Sequence, residues 1–276
     1  MKLYVIGNPI KHSKSPSIHN LWLKKYNPKV IYEKKLLLEK YLSSIVTQVR
    51  KGECLGFNVT LPFKTKILRY LDCYEENVER IKAANTIYMK QDKIFGANTD
   101  GMGLVKSLKY EVKMNLNNIR IFIIGAGGAA RGILLELIKQ PIREICICNR
   151  SDINAKKLQS DLSLCSINCQ VTLQKWQKKI ISKKYDLIIN TTSYGLSMRE
   201  RLNFDFSVLK RNTIVYDLIY NPVETNFLKK AKRFNLKGYN GEGMLVRQAA
   251  ESFARWFKKH LSEKDINEAK KVVFKK

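Results

Sequence analysis

Residues 120–138 read RIFIIGAGGAARGILLELI, and the fold follows from that stretch. A short apolar run at 121–124 meets Gly125, Ala126, Gly127, Gly128, Ala129 and Ala130, and an amphipathic helical pattern begins there. This is the strand–turn–helix order of a dinucleotide-binding βαβ unit, in the form G-x-G-x-x-A. Gly125 permits the tight turn, Gly127 lets the backbone approach a pyrophosphate, and Ala130 lets the new helix pack close to its strand. The N–H groups and dipole at that helix start favour phosphate. A second apolar run, EICIC at 144–148, ends where the ribose of such a cofactor lies.

The residues after that second run discriminate between cofactors. NAD sites place Asp or Glu there, to accept hydrogen bonds from the ribose hydroxyls. Here the chain reads Asn149, Arg150, Ser151, with no carboxylate before Asp152. An Arg fork pairs with a 2′-phosphate and Ser151 adds a hydroxyl, which points to NADP. The competing reading leaves Arg150 as a solvated surface residue.

Working outward, the chain has 276 residues, enough for one large or two moderate domains. Hydrophobic residues at 45% and charged residues at 27% describe a globular protein. MKLYVIGNPI has no secretory apolar region, and no run nears the ~18 residues of a membrane span. The six cysteines (54, 73, 146, 148, 165, 169) form no CxxC pair, so reduced thiols in the cytoplasm are expected, with no metal site. The formal net charge is +27, but the lysines are spread from Lys24 to Lys276 rather than gathered in one stripe. That pattern argues against nucleic acid as the partner and favours small anions.

Strand-like and helix-like segments alternate from the start. Apolar runs at 2–6, 30–36 and 55–60 read as strands, and 16–25 and 37–51 read as helices, which is an α/β domain with a largely parallel sheet. Residues 86–98 form two extended runs about Gln91 and Asp92, and 102–108 read as a helix. The polar stretch 113–118 is the clearest boundary, and a last long helix covers 244–260.

Polar residues cluster where predicted strands end. Ser13 and Ser15 follow the first strand, and two hydroxyls there can grip a carboxylate, as ligands collect at strand C-termini. Ser15 as a helix N-cap with Pro16 at the first helical position is the alternative. Thr60 and Lys64 follow the third strand; Thr60 also reads as a cap, and a Lys at a helix start opposes the dipole. Asn85 precedes one extended run, and Asp100 follows the next. Together they resemble a site for a polyhydroxylated ligand.

GNPIKHSKSPSIHN (7–20), NVTLPFK (58–64), AANT (83–86), ANTDG (97–101), GAGGAAR (125–131), NRS (149–151), NTTSYG (190–195), YDLIYNPVET (216–225) and GEGMLVRQA (241–249) resemble, in order, the successive motifs of the shikimate dehydrogenase family. The resemblance covers nearly the whole chain. It implies two α/β domains with a cleft between them: a substrate domain at 1–101, completed by C-terminal helices returning at 241–276, and a Rossmann-type domain at 102–240. It implies reversible, NADP-dependent reduction of 3-dehydroshikimate to shikimate, on the route to chorismate and aromatic amino acids. Ser13 and Ser15 would take the substrate carboxylate, Thr60, Asn85 and Gln248 the ring hydroxyls, and Tyr216 a place beside the ring. Lys64 and Asp100 would be the catalytic pair. Gly125, Ala126, Gly127, Gly128, Ala129, Asn149, Arg150, Ser151 and Gly241 would hold the cofactor. A homodimer is compatible with it.

Hydride delivered to a ketone leaves alkoxide charge that needs a donor and then a proton. Lys64 can supply both while Asp100 orients it, although proton transfer by Asp100 or by a water stays open. Asn154 stands where the family's NRT-x-x-R pattern is often basic, leaving Lys156 or Lys157 as substitutes. Glu242 and Arg247 are expected to pair with each other. His12 and His19 are expected to order the first motif's loop, and His260 to end a helix. An NAD-dependent quinate/shikimate dehydrogenase and a non-catalytic cofactor- or RNA-binding protein are the rivals.

Overall fold

The computed structural model describes residues 1–163, 169–177, 180–181, 185–196 and 202–274. Two compact units emerge: Met1–Leu104 with Met244–Lys276, and Val105–Gly243. The polar stretch 113–118 lies inside the second unit. Cys165 lies outside the described residues; Cys54, Cys73, Cys146, Cys148 and Cys169 are free thiols. Among the described residues no helix is long and apolar enough to cross a membrane.

The first unit comprises β1 (Lys2–Gly7), α1 (Ser15–Tyr26), β2 (Ile31–Leu36), α2 (Leu42–Arg50), β3 (Gly56–Val59), β4 (Cys73–Tyr74), α3 (Glu76–Ile81), β5 (Thr86–Lys90), β6 (Lys93–Ala97) and the start of α4 (Asp100–Tyr110). Its sheet runs β2-β1-β3-β5-β6-β4. β1 pairs in parallel with β2 and β3, whereas β5 is antiparallel to both β3 and β6. That reversal decides where the site lies. It brings the residues before β5 and after β6 to the same edge as the C-termini of β1 and β3.

The second unit contains β7 (Arg120–Ile124), α5 (Gly128–Ile138), β8 (Glu144–Asn149), α6 (Asp152–Ser163), β9 (Gln170–Lys175), β10 (Ile180–Ile181), β11 (Leu187–Asn190), β12 (Phe204–Asp205), β13 (Ile214–Asp217), α7 (Asn226–Arg233) and β14 (Lys237–Tyr239). Its main sheet is β14-β13-β11-β7-β8-β9, parallel throughout. Strand β7 is fully buried at Ile121, Phe122, Ile123 and Ile124, as a continuous apolar run in a parallel sheet must be.

Helices α8 (Glu242–Phe257) and α9 (Glu263–Val273) return the chain to the first unit. Val246, Phe253, Ile266 and Ala269 pack with Leu3, Val5, Ile18 and Trp22 in one core. The helix expected at 244–260 is α8, which ends at Phe257, and α9 follows it. Ser262 and Asp265 form a reciprocal capping box that starts α9. The expected helix at 37–51 is a short 3₁₀ turn, Glu39–Tyr41, followed by α2.

Candidate active site

In the first unit, Lys64 Nζ and Asp100 Oδ2 are 2.5 Å apart, with side chains only 14% and 6% exposed. Lys64 is not on a helix: residues 61–62 form a turn, and a 3₁₀ helix begins only at Lys66. The cap reading of Thr60 therefore fails, and its N–H instead donates to Ile6 O, extending the β1–β3 pairing. Ala84 N donates to Lys64 O at 2.8 Å, which fixes the lysine's backbone against the strand that leads into β5.

Asp100 heads α4, and its other oxygen, Oδ1, accepts from Asn85 Nδ2 at 2.9 Å. Asn85 Nδ2 also lies 2.9 Å from Thr99 Oγ1 and 3.3 Å from Gln248 Oε1, while Asn85 Oδ1 accepts from Thr99 N at 2.9 Å. Gln248 arrives from α8 because Gly103 leaves it room. A Cβ at Gly103 would stand 2.8 Å from Met244 O and 2.9 Å from Gln248 N. Distant segments thus bring Lys64, Asn85, Asp100 and Gln248 into one hydrogen-bonded group.

Behind this group the polar network continues through residues that the sequence reading left out. Asn58 Nδ2 lies 3.0 Å from both Thr86 Oγ1 and Ser252 Oγ, and Tyr32 donates its hydroxyl proton to Asn58 Oδ1 at 2.7 Å. Burial pushes the Tyr32 phenol well above its ordinary range. The available signals were an Asn inside the wholly buried strand GFNV, and a Ser one helical turn after Gln248. Such a network is stable only if its buried members are paired, as these are.

Ser15 is not the helix N-cap. Lys14 occupies that position without a side-chain cap, and Ser15 is the first residue of α1. Ser13 Oγ accepts from Ser15 N at 3.3 Å. His19 does not order the loop: it is buried within α1, stacked on Tyr32 at 4.3 Å between ring centroids. Burial drives its pKa down to about 3. Arg247 pairs through both terminal nitrogens with Glu263, at 3.0 and 2.9 Å, rather than with Glu242.

In the second unit the β7–α5 turn has the backbone the glycines require. Gly125 has φ of +115°, and a Cβ there would stand 2.3 Å from Thr191 Oγ1. Gly127 N-caps α5 with no side-chain cap, and no atom lies within 4 Å of where its Cβ would stand. Open space over uncapped helical N–H groups fits a pyrophosphate. Ala126 is buried, Gly128 and Ala129 are half-buried, and Ala130 is fully buried. Asn149 Nδ2 donates to Ser151 O at 2.9 Å, and Ser151 Oγ accepts from Asn154 N at 3.4 Å, capping α6. Arg150 is exposed, with no carboxylate preceding Asp152.

Tyr216 lies in β13, with its hydroxyl 2.9 Å from Ser107 Oγ. Gly241 packs on backbone: a Cβ there would stand 2.0 Å from Leu218 O. Asp217 is buried, accepting from Asn190 Nδ2 (3.0 Å), Ile219 N (3.1 Å) and Thr225 Oγ1 (2.7 Å). Burial raises its pKa to about 6. Among the described residues no group of three His, Cys, Asp or Glu could hold a metal.

A parallel sheet with this glycine turn defines a Rossmann-type dinucleotide-binding protein, and the first unit adds a polar site with an ammonium–carboxylate pair. Two family models match: the shikimate dehydrogenase substrate binding domain over residues 5–87, and shikimate / quinate 5-dehydrogenase over 107–222. The chain is 39% identical over 254 residues to the shikimate dehydrogenase (NADP+) of Pelagibacter ubique, covering 92% of each protein. It is similar to a crystal structure of shikimate dehydrogenase in complex with NADP+, with a TM-score of 0.89, 32% identity, and 100% and 96% of the two chains covered. The Thermus thermophilus enzyme, solved with NADP(H) and shikimate, gives a TM-score of 0.86 at 27% identity, over 99% of this chain and 100% of that one. The chain belongs to the shikimate dehydrogenase family.

Proposed function

We propose that the chain catalyses the NADP-dependent, reversible reduction of 3-dehydroshikimate to shikimate. The observation that carries this reading is the largely buried Lys64–Asp100 pair, set among polar groups that suit a hydroxylated ring. The bound cofactor supplies the hydride. The Lys64 ammonium donates a hydrogen bond to the ketone oxygen as negative charge develops there, and then gives it a proton. Asp100 holds that ammonium through Oδ2 and is itself held by Asn85 through Oδ1, so the donor is oriented before substrate arrives. In the oxidative direction Lys64 takes the hydroxyl proton back. Asn85, Gln248 and Thr60 bind ring hydroxyls, Ser13 and Ser15 bind the carboxylate, and Tyr216 lies beside the ring.

Gly125 to Ala129 and the start of α5 take the pyrophosphate, Arg150 and Ser151 the 2′-phosphate, and Gly241 is assigned to the same cofactor. Residues 1–101 with 241–276 form the substrate domain, and 102–240 the cofactor domain. The free thiols suit a reducing compartment, the cytoplasm. Quinate is the competing substrate, since the matching family description names it as well. Initial rates for shikimate and quinate with NADP and NAD separate the readings. A higher kcat/KM for shikimate with NADP supports this one, and a preference for quinate with NAD overturns it.

A further inference from the structure

Arg150 projects beyond β8 as an exposed side chain, and no second cation follows it before Lys156. A lone exposed arginine loses much rotamer freedom when it grips a ligand, so whatever orients it beforehand raises affinity. Here Arg150 Nη1 donates to the Tyr194 hydroxyl at 3.3 Å. Tyr194 is held from several sides. Its ring stacks with that of Trp176, with centroids 6.0 Å apart and an interplanar angle of 27°. Its N–H donates to Thr192 Oγ1 at 3.2 Å, and its carbonyl accepts from Asn190 Nδ2 at 3.3 Å. Asn190 is in turn tied at 3.0 Å to the buried Asp217 carboxyl.

We propose that Tyr194 is a specificity-determining residue that pre-orients Arg150 for a ribose 2′-phosphate; this rests on the assignment of Arg150 to NADP. One guanidinium N–H is spent on the tyrosine oxygen, which leaves the other donors for phosphate. The tyrosine O–H, an acceptor toward Arg150, keeps its own proton to donate to a phosphate oxygen. The Arg150–Tyr194 contact is assigned to the 2′-phosphate alone, so adenine and ribose 5′-phosphate affinity should not depend on it.

Calorimetry on the full-length protein with 2′,5′-ADP and 5′-AMP as probes tests this without turnover. The wild type should bind 2′,5′-ADP more tightly than 5′-AMP. Tyr194→Phe keeps the stacked ring and removes the hydroxyl; it should weaken 2′,5′-ADP roughly three- to tenfold and leave 5′-AMP within about twofold. Adding Asn154→Arg, in the first turn of α6 just after Arg150, should recover the lost 2′,5′-ADP affinity. Unchanged 2′,5′-ADP binding in Tyr194→Phe, or an equal loss for both probes, overturns the role given to Tyr194. A wild type indifferent to the 2′-phosphate overturns the NADP assignment itself, and this proposal with it.

Discussion

Lys64 and Asp100 differ from a surface ion pair such as Lys2–Glu33, whose side chains are 50% and 42% exposed. Exposed pairs of that kind add little to stability and fade in salt. The largely buried pair is fixed through Asp100 Oδ1 by the buried Asn85 amide and through the Lys64 backbone carbonyl by Ala84 N–H. His19 shows the opposite use of burial. Both of its ring nitrogens are buried, burial outweighs the opposing influence of the Asn58 side chain, and the folded state resists protonating it down to about pH 3. Unfolded chains protonate histidine near pH 6.5, so below that pH the unfolded state binds the extra proton. His19 therefore removes ~1.4 kcal/mol of stability per pH unit as pH falls from about 6.5 towards 3. Asp217 works in the other direction: its carboxyl is protonated more readily in the folded state, so its contribution is lost as pH rises through about 6. Urea unfolding from pH 7 to pH 5 should show a shallower loss of stability for His19→Phe than for the wild type. Equal slopes would contradict a neutral buried imidazole.

At the scale of elements, one reversal and one close approach assemble the site. The antiparallel β5 turns Asn85 and Asp100 towards the edge that already carries Lys64, and Gly103 lets α8 deliver Gln248. Gly103→Ala forces a methyl group within 3 Å of α8 backbone atoms, and the helix must shift. The variant should lose about 1–3 kcal/mol in urea unfolding and raise the KM for 3-dehydroshikimate. An unchanged KM would separate Gln248 from substrate binding. Much of this was legible in the chain. The β7–turn–α5 unit was plain because apolar runs, glycines and helical spacing agree there. Ser13, Lys64, Asn85 and Asp100 stood out as polar residues where strands end. The second layer was not legible, since Asn58, Thr86 and Ser252 meet only through pairings and crossings that no local pattern encodes. The alternative cap readings fail for different reasons: α1 begins one residue earlier than Pro16 suggests, with Lys14 at its N-cap, and Thr60 is followed by a turn at 61–62 rather than a helix. The helix expected at 244–260 is present as α8, and the Ser262–Asp265 box that starts α9 lies just beyond the segment that reading covered.

Across the whole molecule, the net charge is +27, and the substrate and cofactor of an NADP-dependent shikimate dehydrogenase are both anions. A field of that sign speeds the approach of anions and is screened beyond about 10 Å in ~0.1 M salt. Raising NaCl from about 0.05 to 0.5 M should therefore increase the KM for NADPH several-fold with little change in kcat. A KM insensitive to salt would reduce the charge to a compositional trait of the chain. The central claim is more local: an ammonium fixed by a carboxylate protonates the reduced substrate oxygen. Its most direct test is the rate of NADPH consumption at saturating 3-dehydroshikimate, with the wild type beside Lys64→Ala. A fall in kcat of about 10²–10⁴, with KM changed by no more than a few-fold, is the expected result. A Lys64→Ala enzyme that turns over at the wild-type rate would contradict it.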